Sequence, residues 1–293
     1  MFRCLIVVLA VGCVSLPPLS LLPAQQAKTP VAGRTFRDLR YVSNGHDRHR
    51  LDLYLPAKGT APYPVVVFVH GGAWFLGSKD SVKGEALFLL EHGYAIAAIN
   101  YRLSQHALFP AQIVDCKAAV RWLRANAKEY QLDANRFAAM GSSAGGHLAA
   151  MLGTTGGVKD FDKGDNLEQS SRVQAVVDWY GPTDFLQMGG WHNDAGSPES
   201  KLIGGPIQEH KEKAANANPI TYVAKDNPPF LIMHGDKDST VPFNQSELLA
   251  EALKKASVEV NLVPMRGAKH GGPQFKSDEA KTMVAEFLAK HLK

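Results

Sequence analysis

Four short apolar runs along the chain have the length and composition of β-strands. Residues 64–69 are almost entirely valine and phenylalanine, which is typical of a strand buried on both faces of a sheet. Residues 136–140 and 229–233 form similar apolar runs, whereas residues 258–263 alternate with period two, as a half-exposed strand does. Each run is followed by a turn that contains glycine. The pattern therefore predicts strands whose carboxyl ends carry glycine-rich loops.

Helical spacing is found in two other segments. Residues 144–152 are small and apolar, which indicates a helix that packs closely against its neighbours. Val114, Ala118 and Trp122 are spaced four apart, so they share one face of a helix that also carries Cys116. With 293 residues and 45% hydrophobic content, the chain can bury a large sheet. We therefore expect a single domain over residues 28–293.

The segment Gly141–Gly145 joins a predicted strand to a predicted helix and reads Gly-Ser-Ser-Ala-Gly. Glycines two residues before and two residues after Ser143 permit the sharp turn of a nucleophile elbow, which holds a serine hydroxyl clear of the backbone. Ser142 lacks these flanking glycines, so Ser143 is the predicted nucleophile. The Ala144 amide opens the helix, where first-turn amides have no internal acceptor, and it is predicted to donate toward an oxyanion.

Candidate partners for this serine follow the other strand-like runs. Residues 70–74, His-Gly-Gly-Ala-Trp, come after the valine run, and the missing side chains let backbone amides approach a substrate oxygen. Asp236 and Asp238 follow residues 229–233, and His270 lies in a turn-rich segment after the alternating run. The chain order serine, aspartate, histidine is that of the α/β-hydrolases. These positions predict a nucleophile, an acid and a base at one edge of the sheet.

Together these motifs resemble those of α/β-hydrolase serine esterases. The resemblance is to the bacterial feruloyl and acetylxylan esterase-like (BD-FAE) type and to hormone-sensitive-lipase-like carboxylesterases, and it covers roughly residues 48–290. It rests on His70–Trp74, Asn100–Arg102, Phe109–Gln112 with Asp115, Gly141–Ala149, His234–Asp238 and His270. It implies an α/β fold with a mostly parallel eight-stranded sheet flanked by helices and a small cap insertion.

The resemblance also implies a mechanism. In such enzymes a Ser-His-Asp triad forms an acyl-enzyme intermediate, which makes Asp238 the acid that orients His270 beside Ser143. The amides implied for the oxyanion hole are those of Gly72, Ala73 and Ala144. Many relatives carry a third glycine where this chain has Ala73. The implied substrates are short-chain or polysaccharide-attached acyl esters, acetyl or feruloyl, and no cofactor is expected.

Two other hydrolytic activities stay open. Formamidases of the arylformamidase type share the H-G-G-x-W pattern and cleave an amide. Serine peptidases of the prolyl-oligopeptidase type share the elbow and the H-G-x-x-D pattern, although this chain has no room for their large added propeller.

Substrate choice is expected to depend on residues 182–227, a glycine- and asparagine-rich segment whose composition predicts short helices and turns in a modest cap. Trp191 in this segment and Trp74 on the predicted oxyanion loop are candidate substrate-binding residues, because an indole can stack on an aromatic acyl group or a sugar ring. The alternative is that either ring fills the core of the cap.

The charge pattern argues against a polyanionic partner. The formal charge of +4 comes from 32 basic and 28 acidic residues scattered along the chain, which is too diffuse for a nucleic-acid footprint. Asp160, Asp162 and Asp165 lack the full calcium-loop pattern, and no cluster has zinc spacing, so no metal is expected. The predicted partner is a small-molecule or polysaccharide-attached ester.

The first 27 residues have the features of a secretory signal peptide. Arg3 precedes a short apolar core at residues 5–10, and the following stretch contains proline and serine. Its core is too short for a stable membrane span, so we expect export to the periplasm or the extracellular space. Lipidation of Cys13 is a minor alternative. Without this leader Cys116 is the only cysteine, which leaves no intramolecular disulfide.

Overall fold

The computed structural model describes Met1 and residues 32–292. The strands of this part of the chain are β1 (Ala32–Arg40), β2 (Arg50–Pro56), β3 (Tyr63–Val69), β4 (Ala95–Ile99), β5 (Leu132–Ser142), β6 (Ala175–Trp179), β7 (Phe230–Gly235) and β8 (Val260–Met265). The α-helices are α1 (Ala111–Ala125), α2 (Ala144–Thr154), α3 (Pro198–Ile203), α4 (Lys211–Asn216), α5 (Asn244–Lys255) and α6 (Asp278–His291).

The strands form one eight-stranded sheet in the order β1-β2-β4-β3-β5-β6-β7-β8. The pairs β1–β2 and β2–β4 are antiparallel, and every pair from β4–β3 to β7–β8 is parallel. The predicted α/β-hydrolase fold, with its mostly parallel eight-stranded sheet, is confirmed. Parallel order places the carboxyl ends of β3, β5, β7 and β8 at the same edge, where the loops that carry the predicted site residues begin.

The valine run of β3 is buried because helical segments cover both faces of the sheet. Val65, Val67 and Val69 point into one core, and Val66 and Phe68 point into the other. Side chains of α1, α2 and α5 complete the first core. Those of α6 and of two 3₁₀ segments after β3, Lys79–Gly84 and Leu87–His92, complete the second.

The predicted elements occur close to their expected bounds. The alternating run 258–263 becomes β8, an edge strand that pairs only with β7 among the described strands and is only partly buried. The helix with four-residue spacing is α1, and its Cys116 is fully buried. Cys116 therefore packs as a small apolar residue.

Residues 182–227, the predicted cap, contain short helices joined by turns. Besides α3 and α4, this segment has three 3₁₀ turns, Phe185–Gln187, Gly190–Asn193 and Pro219–Tyr222. Its two α-helices have six residues each.

The predicted leader, residues 1–27 with Cys13, lies outside the described residues apart from Met1. Within the described part of the chain, none of the helices has both the length and the apolar character that crossing a bilayer requires.

Candidate active site

Ser143 occupies a strained turn between β5 and α2. Its φ of 55° and ψ of −123° lie in a region that L-residues rarely adopt, as expected for a nucleophile elbow. The flanking glycines are required by contact: a Cβ on Gly141 would overlap the carbonyl group of Gly145, and a Cβ on Gly145 would overlap the carbonyl oxygen of Val69. The close approach of strand, turn and helix holds the serine in this conformation.

His270 and Asp238 complete a hydrogen-bonded series with Ser143. The His270 Nε2 atom lies 2.9 Å from the Ser143 Oγ atom, and its Nδ1 atom lies 2.7 Å from the Asp238 Oδ2 atom. Burial alone would raise the pKa of Asp238, but hydrogen bonds from His234 and His270 outweigh it and hold that pKa well below its usual range. Because Asp238 is ionised, His270 Nδ1 donates to it, and Nε2 is left to accept the Ser143 hydroxyl proton.

The structure separates the two candidate aspartates. Asp236 lies in the loop after β7, where its Oδ1 atom accepts the Gly267 amide at 2.7 Å. That contact joins two loops and leaves Asp236 away from the imidazole. The Asp238 Oδ1 atom accepts the amides of Thr240 and Val241 at 2.8 and 2.9 Å, which leaves Oδ2 directed at the histidine. Local backbone contacts therefore orient the Asp238 carboxylate.

The loop after β3 presents free amides beside Ser143. Gly72 and Ala73 line the same cavity as the serine, and within the described chain neither amide donates a hydrogen bond to a protein acceptor. Both residues have positive φ, 111° and 53°. Ala73 therefore adopts a left-handed conformation that a glycine would enter without steric cost. The Ala144 amide lies in the first turn of α2, where it has no acceptor within the helix.

His70 fixes this loop. Its Nδ1 atom lies 2.7 Å from the Gly71 carbonyl oxygen, and its Nε2 atom lies 3.0 Å from an Arg48 guanidinium nitrogen. Burial lowers the pKa of His70 to about 4. A neutral ring that donates from Nδ1 and accepts at Nε2 satisfies both contacts. His70 therefore holds the loop while its ring stays uncharged at neutral pH.

The structure does not bring Trp74 into the cavity. The indole is 1% exposed, its Nε1 atom donates to the His147 Nδ1 atom at 3.2 Å, and its ring packs edge-on against Phe185. His147 in turn contacts the Ala217 carbonyl oxygen through Nε2 at 2.7 Å. Trp74 thus links the loop after β3 to α2 and to residues 182–227, which matches the alternative in which the ring fills a core.

Trp191 also lies apart from the residues that line the cavity around Ser143. It is 47% exposed and stacks on His192 with ring centroids 3.8 Å apart. Contact between this indole and a substrate that extends beyond the cavity stays a prediction.

The cavity beside Ser143 has a volume of about 460 Å³. It is lined by Gly71, Gly72, Ala73, Leu76, Gly77, Ser81, Glu85, Ser142, Ser143, Tyr180, Thr240 and His270. Another cavity of about 420 Å³ lies between Phe109 and Tyr222, but none of the predicted catalytic residues lines it. We take the first as the candidate active site because it holds the serine, the imidazole and the free amides together.

Sequence reasoning did not identify several residues of this cavity, including Tyr180 and Glu85. The Tyr180 ring packs edge-on against His270, with centroids 4.8 Å apart. Glu85 follows the 3₁₀ segment Lys79–Gly84. Neither residue belongs to a motif. Tyr180 reaches the site because β6 pairs with β5, and Glu85 reaches it because the 3₁₀ segment before it packs against β3 and β4.

Comparison with known proteins gives relatives that are named esterases. Esterase LipC of Mycobacterium tuberculosis is 33% identical over 271 residues, which cover 85% of this chain and 64% of LipC. The chain spans about half to two thirds of the length of the curated relatives it matches.

Two solved structures are similar over most of this chain. A truncated form of a carbohydrate esterase from gut microbiota has a TM-score of 0.85 and 34% identity, and the match covers 90% of this chain and 99% of that one. An acetyl ester-xyloside bifunctional hydrolase from Caldicellulosiruptor lactoaceticus has a TM-score of 0.68 and 26% identity, and the match covers 82% of this chain and 88% of that one. The BD-FAE family model matches residues 51–253. The chain therefore belongs to the BD-FAE family within the α/β-hydrolase fold.

Proposed function

We propose that this protein is a serine carboxylic-ester hydrolase that acts on short-chain or polysaccharide-attached acyl esters, in which the acyl group is acetyl or feruloyl. The observation that carries the proposal is the hydrogen-bonded series Ser143, His270, Asp238 at the end of a cavity that also holds free backbone amides. Family membership and relatives named as esterases support the same reaction.

The first half of the reaction uses the serine and the imidazole. The Ser143 oxygen attacks the ester carbonyl carbon while His270 Nε2 takes the hydroxyl proton. Asp238 stabilises the imidazolium that forms, since it remains ionised and hydrogen-bonded to Nδ1. The imidazolium then protonates the leaving alcohol, and the acyl group stays on the serine. A water molecule activated by the same imidazole hydrolyses this acyl-enzyme.

Backbone amides stabilise the negative charge of the tetrahedral intermediates. The amides of Gly72 and Ala73 come from the loop after β3, and the amide of Ala144 comes from the start of α2. Loss of one such donor costs about a hundred- to a thousandfold in turnover in comparable sites. The positive φ of Ala73 places an amide there without a glycine, while its methyl group narrows the space beside the acyl carbon.

A saccharide ester is the favoured substrate because the neighbouring solved structures are named as a carbohydrate esterase and an acetyl ester-xyloside hydrolase. We further propose that the protein is exported, on the basis of the charged and apolar pattern of residues 1–27. Export would bring it to polymeric substrates that do not enter cells.

The test is a set of initial rates for the purified protein on 4-nitrophenyl acetate, 4-nitrophenyl octanoate, acetylated xylan and methyl ferulate. Ser143→Ala serves as the blank, since loss of the nucleophile costs on the order of a millionfold. We expect Ser143-dependent release of acetate or ferulate. Activity equal to wild type in Ser143→Ala would overturn the proposal. If none of the four esters is cleaved, N-formylkynurenine and a peptide nitroanilide are assayed next, and hydrolysis of one of these would replace the proposal with formamidase or peptidase activity.

A further inference from the structure

Glu85 places a carboxyl group in the wall of the candidate active site. The residue follows the 3₁₀ segment Lys79–Gly84, and its amide donates to the Val82 carbonyl oxygen at 3.2 Å, so its backbone is fixed. It lines the cavity together with Ser143 and His270. Glu85 therefore belongs to the wall that a substrate held at the serine would face.

One oxygen of this carboxyl group is left without a partner. The Glu85 Oε2 atom is buried, and it has no hydrogen bond within the described chain. Buried polar atoms in native proteins are nearly always paired, so an unpaired oxygen on a residue of this wall requires an explanation. Burial raises the pKa of Glu85, with the Ser142 hydroxyl and the Lys276 ammonium acting in the opposite direction. The effects of these neighbours are smaller than that of burial, so the pKa of Glu85 stays above its usual value.

The neighbours of Glu85 indicate which part of an ester it faces. A Cβ on Gly84 would lie 3.5 Å from the Lys276 ammonium nitrogen, so the backbone just before Glu85 lies beside Lys276. Phe275, the residue before Lys276, packs edge-on against the Tyr180 ring. The charge of Glu85 also raises the pKa of Tyr180, in agreement with this placement. The Tyr180 ring packs edge-on against His270. Since His270 delivers its proton to the leaving alcohol, the alcohol part of the ester lies on this side of the serine, and the oxyanion amides lie on the other. Glu85 is therefore on the alcohol side.

We propose that Glu85 accepts a hydrogen bond from a free hydroxyl of the alcohol part of the ester, and so makes this cavity selective for partially acylated sugars. The inference rests on the proposed esterase function and adds a hydroxyl-binding subsite to it. Sites that hydrogen-bond a substrate hydroxyl discriminate strongly against analogues that lack it, because the buried protein group is then left unpaired.

The experiment compares two esters that differ only in their hydroxyl groups. These are methyl 2-O-acetyl-β-xyloside and its 3,4-dideoxy analogue, and the preference is the ratio of their kcat/KM values for acetate release. We expect a preference of about tenfold in the wild type, from one hydrogen bond to a carboxylate. Glu85→Ala should reduce the ratio to about one, and Glu85→Gln, which keeps an acceptor oxygen, should lie between.

Glu91→Gln is the matched control, because Glu91 is an exposed glutamate in the next 3₁₀ segment, Leu87–His92. It should keep the wild-type ratio. If Glu85→Ala leaves the ratio of the two kcat/KM values unchanged, the inference is overturned. If both values also fall by the same factor, Glu85 has a structural role.

Hydrolysis of 4-nitrophenyl acetate separates this inference from the proposed function. A wild type that cleaves this ester in a Ser143-dependent way but shows no preference between the two xylosides refutes the subsite alone. A wild type that cleaves neither these three esters nor 4-nitrophenyl octanoate, acetylated xylan or methyl ferulate refutes the esterase function itself.

Discussion

Asp178 is a fully buried carboxyl group beside the turn that carries Ser143, and it should make the stability of the protein depend on pH. It lies on β6 opposite Gly141, and its Oδ1 atom accepts the Gly181 amide at 2.9 Å. Its Oδ2 atom has no hydrogen-bond partner in the described structure. Burial raises the pKa of Asp178 from 3.8 to about 6, with the Gly181 amide and the charge of His234 acting in the opposite direction.

The sign of the effect follows from this direction. Between the two pKa values the unfolded chain has released the Asp178 proton and the folded chain has kept it, so the free energy of unfolding falls as pH rises. A pKa shift of this size lowers the free energy of unfolding by about 3 kcal/mol once the carboxyl group is ionised in both states. About 1.4 kcal/mol of this loss falls between pH 5 and pH 8. The charge that appears above pH 6 therefore destabilises the fold.

The perturbation is Asp178→Asn, which keeps the Oδ1 acceptor and removes the titration. Urea unfolding, followed by tryptophan fluorescence at pH 5 and pH 8, gives the stability change of each protein over this interval. From pH 5 to pH 8, the free energy of unfolding of the variant should fall by about 1.4 kcal/mol less than that of the wild type. Any effect of the new amide group on stability that does not depend on pH is the same at both pH values, so it cancels when the two are compared. Asp47→Asn, at a side chain that is 95% exposed, is the control and should follow the wild type. Equal pH dependence in Asp178→Asn and wild type would refute the reasoning.

Three further substitutions test the site and its support. Asp238→Asn should lower kcat about ten-thousandfold, because the tautomer of His270 is no longer fixed, while Asp236→Asn should stay within a few fold; equal rates for the two in ester hydrolysis would contradict the assignment. Ala73→Gly should raise the free energy of unfolding by up to about 1 kcal/mol in urea, since φ of 53° strains an alanine; a loss of stability would contradict this. Trp74→Phe should lower the free energy of unfolding by about 1–3 kcal/mol, because the buried His147 loses the hydrogen bond that the indole donates. An unchanged urea midpoint would show that this hydrogen bond contributes little to stability.

The fold was predictable because its signals are local. The buried run 64–69 and the alternating run 258–263 have different periodicities, and the structure places them in the centre and at the edge of the sheet. The glycines around Ser143 are required by close contacts of the turn with itself and with the end of β3, and their spacing around the serine is visible in the sequence. Asp238 could be separated from Asp236 only by family resemblance, and the structure supplies a physical reason in the hydrogen bonds that each carboxylate accepts.

The lining of the cavity was not predictable because it depends on tertiary packing. Trp74 has a φ of 55°, and this backbone turn directs its indole into the core and away from the cavity that its neighbour Ala73 lines. Glu85 reaches the cavity only because the 3₁₀ segment before it packs against β3 and β4. No spacing or motif in the sequence predicts where these two side chains point, because this depends on backbone angles and on contacts between distant segments.

In the proposed reaction, Ser143 forms the covalent intermediate. The most direct test is to react the protein with a fluorophosphonate probe and to locate the adduct by tandem mass spectrometry. We expect one adduct per chain, on Ser143, formed in parallel with the loss of ester hydrolysis and absent after Asp238 and His270 are both replaced by alanine. An adduct on Ser142, or full ester hydrolysis in protein that is stoichiometrically labelled, would contradict it.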